Sequence, residues 1–279
     1  MPLTPPIVTL PLFAELDRLL LELLRSLTPA DWQRPTLARQ WTVKDVAAHL
    51  LDGNLRTPSM LRDEYYGETP DDFSYAGMVA YLNRLNADWV QAMRRLSPAV
   101  LTDLLAQTGP AYVAYLHTLD PWAPAAWSVA WAGETESSNW FHIARDYTER
   151  WHHQQQIREA VGQPAPLLEP RLFRPFIETM LRGLPHAYRA VAAPAGTVVQ
   201  VRIETASGGT WQLVKTAEAW QLSRARPVAA PAAEIALTPD VAWRLFTKGL
   251  LPAEARALVQ VTGDQALANA ALRLVAVMA

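Results

Sequence analysis

The feature that most constrains the fold of this chain is a change in the spacing of its apolar residues. Through residues 10–27 the leucines recur at steps of three and four, which is the spacing along one face of an amphipathic helix. Through residues 197–205 the apolar residues instead alternate with polar ones, which is typical of a half-buried strand. Two such patterns in separate stretches predict a helical domain followed by a domain that contains a sheet.

Four long helical patterns lie in the first 165 residues. The second has the clearest start, because Thr42 can cap the helix N-terminus and Asp45, three residues on, can complete a variant of the capping box. The third pattern is interrupted at Ser97-Pro98, and residues 120–133 are predicted to form a long aromatic loop. These patterns favour a four-helix bundle with at least one long connection, its helices lying at about 10–27, 42–61, 75–96 and 136–161.

The C-terminal part is predicted to be a smaller α+β domain. Strands at 197–205 and 210–214 flank Ser207-Gly208-Gly209, which predicts a hairpin. Further strands are predicted at 219–222 and 233–237, and helices at 171–190, 240–248 and 265–278. The proline-rich segment at 163–166 is the best candidate linker. We therefore expect a helical bundle at 1–165 and an α+β domain at 166–279.

The composition excludes several kinds of chemistry. The chain contains no cysteine, so disulfides, thiolate metal sites and a cysteine nucleophile are ruled out. Any metal must be held by histidines and carboxylates, and any thiol chemistry must come from a small molecule. The 25 basic residues are balanced by 27 acidic ones and form no dense patch, so no nucleic-acid binding is predicted.

The sequence also predicts a cytoplasmic protein without a membrane span. No apolar run reaches the roughly 18 residues that a membrane helix needs. The apolar stretch at 7–13 has no Lys or Arg before it and is followed by Glu15 and Asp17, which is atypical of a secretory signal.

The predicted helix at 136–161 carries the densest group of potential metal ligands: His142, Asp146, Glu149, His152 and His153. Glu149 and His153 are four residues apart and therefore face the same side of the helix. His49 is the attractive third ligand, because it lies in an apolar stretch where a histidine would otherwise face the core. Three nitrogen or oxygen ligands and an open position are typical of catalytic zinc. The spacing alone also suits a solvated, charged helix face with one core histidine.

Two of these segments resemble a known family. Residues 41–52, Trp-Thr-Val-Lys-Asp-Val-Ala-Ala-His-Leu-Leu-Asp, resemble the N-terminal signature of the mycothiol-dependent maleylpyruvate isomerases, within the wider DinB-like group of metal-binding four-helix bundles. Residues 149–153 are similar to that family's Glu-x-x-x-His ligand pair, and 238–240, 246–249 and 262–264 to the sterol-carrier-protein-type domain that follows the bundle. The resemblance implies that His49, Glu149 and His153 hold a divalent metal, zinc being the expected ion.

The resemblance also implies an enzyme whose partners are a low-molecular-weight thiol, such as mycothiol, and a small electrophile. Zinc would bind the thiol sulfur in its open position, lower the thiol pKa and present a thiolate to the substrate. With maleylpyruvate, addition to the cis double bond allows rotation, and elimination then gives the trans isomer. With another electrophile the adduct is the product, as in a thiol transferase.

Two alternatives remain at this point. A metal-dependent hydrolase would use the same ligands to activate water, with Asp146 or Asp52 as general base. A non-enzymatic protein would combine a metal-stabilised bundle with a carrier domain that binds a lipid or another small apolar molecule. Each of these functions is compatible with a monomer or a homodimer.

The second domain is expected to pack near the open metal position, since clefts between domains commonly enclose small substrates. Where family members often have a Gly-Arg pair, this chain has Lys248-Gly249. The cationic side chains predicted to contact the thiol or the substrate are Lys248, Arg244 and Arg202. His142 and Asp146 are candidates for orienting a ligand imidazole.

Overall fold

A computed structural model describes residues 5–223 and 230–277 of the chain. It divides into two compact units. The first comprises the described residues up to Ala126 together with Ser138–Pro164, and the second comprises Trp127–Ser137 and Ala165–Val277. The domain boundary predicted at 165/166 stays a prediction, and the units differ from it in that Trp127–Ser137 belongs to the second.

The first unit is built from long helices. They are α1 (Phe13–Ser26), α2 (Val43–Leu61), α3 (Tyr75–Met93), α4 (Pro98–His117) and α5 (Asn139–Ala160). Helix α2 packs against α4 and α5, and α1 packs against the same two helices, so these four form the bundle. Helix α3 packs on the outside of α2. The predicted four-helix bundle is confirmed, but α4 takes the place in it that the sequence assigned to α3.

Helix α4 is not predicted from the sequence, because Ser97-Pro98 is also typical of a break. It is the start of a helix: the Ser97 hydroxyl accepts a hydrogen bond from the backbone N–H of Val100 at 3.3 Å. Proline is well suited to the first helical position because its missing N–H has no partner there in any case. Within α4, Gly109 lies where a Cβ atom would come within 2.9 Å of a carboxylate oxygen of Asp17 on α1.

The predicted start of α2 is confirmed in detail. The Thr42 hydroxyl accepts a hydrogen bond from the N–H of Asp45 at 3.3 Å, and the Asp45 carboxylate accepts one from the N–H of Thr42 at 3.0 Å. This reciprocal pair is a capping box. Helix α2 then continues through Gly53, which does not end it.

The second unit contains a five-stranded sheet. Its described strands are β1 (Val198–Ile203), β2 (Gly209–Lys215), β3 (Trp220–Ser223), β4 (Ala233–Leu237) and β5 (Gln260–Gly263), in the order β3-β2-β1-β4-β5. β1 and β4 are parallel, and the other neighbours are antiparallel. The helices are α6 (Pro170–Leu181), α7 (Leu184–Ala187), α8 (Pro239–Phe246), α9 (Pro252–Ala255) and α10 (Gln265–Ala270). The predicted fold class, a helical bundle followed by an α+β domain, is confirmed.

Three details of the second unit differ from the sequence prediction. The helix predicted at 171–190 is divided into α6 and α7, which are separated at Gly183, where a Cβ atom would collide with Leu274. The closing helix predicted at 265–278 is shorter, since α10 ends at Ala270 and a turn of 3-10 helix follows. Strand β5 was not predicted, because its four residues carry a single large apolar side chain. Within the described ranges, no helix is both long and apolar enough to cross a bilayer.

Candidate metal centre

The packing of α2 against α5 brings together the three side chains that the sequence predicts as metal ligands. The ring of His49, on α2, lies 4.6 Å from the ring of His153, on α5, and the two rings are nearly perpendicular. On α5, a carboxylate oxygen of Glu149 lies 3.6 Å from Nε2 of His153. Their assignment as ligands stays a prediction, which this proximity supports.

His152 lies at the same place. Its Nε2 atom is 4.0 Å from the Glu149 carboxylate, and its ring is 4.0 Å from that of His153. Residues three and four positions after Glu149 lie on either side of it on the helix surface, so both imidazoles can reach its carboxylate. The ligating atoms of these three residues lie within 4.8 Å of one another, as a shared metal requires.

Hydrogen bonds within α5 determine which nitrogen of each imidazole can bind a metal. Nδ1 of His152 lies 2.9 Å from the carbonyl oxygen of Thr148, and Nδ1 of His153 lies 2.9 Å from the side-chain oxygen of Gln156. Because both oxygens accept, each Nδ1 carries a proton, and Nε2 is the ring nitrogen that is left to bind a metal. Thr148 and Gln156 therefore orient the two imidazoles, as partners of metal-bound histidines commonly do.

Sequence reasoning missed this role of Gln156, although its signal was available. Gln156 stands three residues after His153, which is a distance at which helical side chains meet. The orienting role predicted for His142 and Asp146 is not supported: Asp146 accepts a hydrogen bond at 2.6 Å from the hydroxyl of Tyr112 on α4.

Trp41 forms one side of the centre, another role that the sequence analysis did not predict. Its ring lies 5.0 Å from that of His49 and 6.2 Å from that of His153. Trp41 directly precedes Thr42, so the cap of α2 also sets the position of this indole. Trp41 is thus an aromatic neighbour of both His49 on α2 and His153 on α5.

Two observations test whether these residues fit a divalent metal. Nδ1 of His49 is buried and has no hydrogen-bond partner among the described residues, which is costly unless a ligand occupies it. The Glu149 side chain is 38% exposed, whereas those of His152 and His153 are 5% and 10% exposed, so one edge of the centre is open. Imidazole nitrogens with one carboxylate and an open edge are suited to a catalytic metal site.

The protonation states are also those that a metal needs. Burial, reinforced by the neighbouring His153, holds the pKa of His49 well below its usual value. Burial lowers the pKa of His152 to about 4. For Glu149, the partial loss of water around its carboxylate would by itself raise the pKa, but the facing His152 and His153 outweigh this and lower the value to about 2. At neutral pH the carboxylate is therefore ionised, and His49 and His152 are neutral.

The two carboxylates predicted as general bases already have partners. Asp52, one turn after His49, forms an ion pair of 2.8 Å with Arg56. Burial raises the pKa of Asp52, and Arg56 offsets part of that rise. Asp146 is bound by Tyr112 and, at 3.3 Å, by Arg145.

The three cationic residues predicted to contact the thiol or the substrate lie in the second unit. Arg202 on β1 is paired with Glu234 at 3.0 Å, and Arg244 on α8 is paired with Asp240 at 2.9 Å. Lys248 follows α8 with a φ of 65°, a left-handed backbone conformation. Their role toward a thiol or a substrate stays a prediction.

Comparisons with known proteins address the first unit directly. Residues 13–158 match the family model described as the mycothiol maleylpyruvate isomerase N-terminal domain, a range that includes all the candidate ligands. A search among curated protein sequences gives no significant match. Since the family match ends at residue 158, the similarity of the second domain to sterol-carrier-type domains stays a prediction.

Two solved structures resemble the fold. One is the crystal structure of the mycothiol-dependent maleylpyruvate isomerase, with a TM-score of 0.53. The other is a variant of that enzyme in which one histidine is replaced by alanine, with a TM-score of 0.52. In both cases the identity is 13%, and the match covers 91% of this chain and 93% of the other. At this identity the likeness is one of fold, and it extends over both units.

Proposed function

This chain belongs to the family of the mycothiol maleylpyruvate isomerase N-terminal domain, and from that premise we propose that it is a metal-dependent enzyme that uses a low-molecular-weight thiol. The reaction we propose is the thiol-dependent cis–trans isomerisation of a small electrophile such as maleylpyruvate, or transfer of the thiol to such an electrophile. Mycothiol is the thiol that the family name suggests. We place the enzyme in the cytoplasm, where small thiols are kept reduced.

The observation that carries the proposal is the convergence of ligands from two helices. His49 contributes a buried nitrogen without a hydrogen-bond partner in the described structure, and it faces His153 at a ring separation of 4.6 Å. Glu149 adds a carboxylate that is ionised at neutral pH. The absence of cysteine means that a thiolate at this centre has to come from a small molecule.

We propose that His49, Glu149 and His153 hold the metal, with zinc as the resident ion. Bound there, the metal supplies positive charge that lowers the pKa of a thiol. Thr148 and Gln156 hold Nδ1 of the two α5 imidazoles, so that Nε2 of each ring is directed at the carboxylate. Trp41 excludes water from one side of the imidazoles, while the exposed edge at Glu149 leaves room for the thiol and the substrate.

The hydrolase alternative is less well supported. A general base needs a carboxylate that can take up a proton near the metal. Asp52 and Asp146 are each engaged by an arginine, and Asp146 also accepts from Tyr112. The family match supports the thiol-dependent reaction, and no contact of the described residues specifically favours hydrolysis.

The test is an assay of the purified, zinc-loaded protein with maleylpyruvate in the presence of mycothiol, glutathione or no thiol. The proposal expects isomerisation that requires both zinc and a thiol. A second arm replaces maleylpyruvate with iodoacetamide and measures thiol transfer above the uncatalysed rate. Thiol dependence in either arm supports the proposal, whereas zinc-dependent ester hydrolysis without thiol, or no catalysis in any arm, contradicts it.

Matched variants test whether the activity depends on the metal centre. Glu149→Gln keeps the shape and an oxygen ligand but removes the charge, so we expect weaker zinc binding and lower activity. His117→Ala is the control, because His117 lies exposed near the end of α4. Equal activity of the Glu149→Gln variant and the control would remove the carboxylate from the proposed ligand set.

A further inference from the structure

A cavity with a volume of about 460 Å³ lies within the first unit, away from the metal centre. It is formed where the C-terminal ends of α2 and α4 meet the N-terminal end of α5. His142 lines it and precedes Glu149 by seven residues, which at 1.5 Å per residue separates them by about 10 Å along α5. Cavities of this size accommodate small organic ligands.

Apolar side chains form one part of the cavity wall, and polar groups contribute at least as much of its exposed surface. Met60 and Leu61 at the end of α2 face it, together with Leu119 just beyond α4. The polar side chains include the hydroxyl-bearing Tyr115 and the imidazole of His142. Such a wall suits a small ligand that has both a hydrocarbon part and a polar group.

The protonation of His142 follows from its neighbours. Nδ1 lies 3.1 Å from the guanidinium of Arg145, which can only donate, so Nδ1 carries no proton. Burial lowers the pKa of His142, and the ring is therefore neutral at pH 7. The single ring proton of a neutral imidazole is then on Nε2.

This Nε2–H group lacks an acceptor in the described structure. The His142 residue is 3% exposed, and Nε2 is buried without a hydrogen-bond partner. The Asp146 carboxylate oxygen lies 3.7 Å away, beyond hydrogen-bond distance, and accepts instead from the hydroxyl of Tyr112 at 2.6 Å. A buried donor is costly to leave unpaired, so a ligand oxygen that reaches Nε2–H gains a hydrogen bond that the protein itself does not supply.

The charges around the cavity favour an uncharged ligand. None of the described lining residues is Lys or Arg, and Glu64 is among them. Arg145 lies behind His142 and is bound to Asp146 at 3.3 Å. An anion would therefore meet a carboxylate and no lining cation.

We propose that this cavity binds a small uncharged organic molecule whose carbonyl oxygen accepts a hydrogen bond from Nε2 of His142 and whose hydrocarbon part packs against Met60, Leu61 and Leu119. The site is separate from the metal centre, so its occupancy does not depend on zinc or on the proposed reaction.

Acetophenone and ethylbenzene provide a matched pair of probes, because they differ in the carbonyl oxygen and have nearly the same shape. Each is titrated calorimetrically into the full-length protein, with zinc and after chelation, and ¹⁵N spectra of the histidine rings follow His142. We expect acetophenone to bind at least about tenfold more tightly than ethylbenzene, with or without zinc, and to shift the His142 Nε2 signal.

Variants identify the donor. His142→Phe is expected to remove the preference for acetophenone, and His142→Gln, whose amide nitrogen reaches the position of Nε2, to retain part of it. His117→Phe is the control and should change neither affinity. Equal binding of the two probes to the wild type, no saturable binding of either, or an unaltered preference in His142→Phe would each overturn the proposal.

A third probe tests whether the cavity prefers an uncharged ligand. Benzoate has the size of acetophenone but is anionic at pH 7, and we expect it not to displace acetophenone. Tighter binding of benzoate would refute the assignment of an uncharged ligand. Should His142→Phe fail to fold, the histidine ¹⁵N shift in the wild type and the His142→Gln titration still decide between these outcomes.

Discussion

Acid should destabilise the metal-free protein through His152. Burial lowers the pKa of this imidazole from 6.5 to about 4. In the unfolded chain the ring takes up a proton as the pH falls through 6.5, whereas the folded protein keeps it neutral. Because the unfolded state then binds more protons, the free energy of unfolding decreases as the pH falls, over the window between those two pKa values.

The size of the effect follows from the two pKa values. Integrating the proton uptake of this single group from about pH 7 to about pH 5 gives a loss of about 2 kcal/mol in the free energy of unfolding. That is a large share of the stability of a typical domain. The His152 side chain is 5% exposed, so solvent screens the effect little.

The assay is urea unfolding of chelated protein at the two pH values, followed by the helical circular-dichroism signal. Comparing wild type with His152→Asn cancels the titrating groups that do not interact with His152. The asparagine amide lies where Nδ1 lay and can still donate to the carbonyl of Thr148. The variant is expected to lose about 2 kcal/mol less than wild type between the two pH values.

His117→Asn is the matched control, because His117 is exposed and its replacement should leave the pH dependence of the wild type unchanged. An equal loss of stability in His152→Asn and wild type would refute the reasoning. It would mean that the folded protein protonates His152 as readily as the unfolded chain does.

Three further outcomes follow from particular contacts. His49→Ala and His153→Ala should each abolish tight zinc binding, measured by mass spectrometry. Helicity by circular dichroism should be retained, because the bundle core is stabilised by apolar burial at about 25 cal/mol per Å². Full metal occupancy in either variant would exclude that residue as a ligand. Ser97→Ala should cost about 1 kcal/mol in urea unfolding, since it removes the cap of α4, and Ser97→Thr should recover most of it. Gly133→Ala should lower the melting temperature, because Gly133 has a φ of 77° and a Cβ atom there would overlap the His186 ring. An unchanged melting temperature would contradict this prediction.

Local chemistry explains why the start of α2 could be predicted. The hydroxyl of Thr42 and the carboxylate of Asp45 bond to backbone groups within one turn, so the information lies in four consecutive residues. The hairpin of β1 and β2 is similar, because alternation and a glycine-containing turn are adjacent in the chain. Both elements form where the sequence pattern places them.

Helix α4 shows where local signals become ambiguous. A serine followed by proline suits both a break after one helix and the start of the next. Here it starts α4 at Pro98, whereas α3 has already ended at Met93. The bundle decides the outcome by burying Leu101 and Leu105 of α4 in its core. That burial depends on contacts with α1 and α2, which are distant in sequence.

The residues of the metal centre likewise differ in how well local sequence predicts their positions. On α5, Thr148 precedes His152 by four residues and Gln156 follows His153 by three, so the helix alone orients both imidazoles and aims each Nε2 at Glu149. That arrangement is recoverable from spacing. The place of His49 depends instead on the packing of α2 against α5, and its local signals were the apolar residues around it and the resemblance of residues 41–52 to a family signature. Because one half of the centre is local and the other tertiary, disruption of α2 should remove His49 from the centre and leave the α5 ligands correctly oriented.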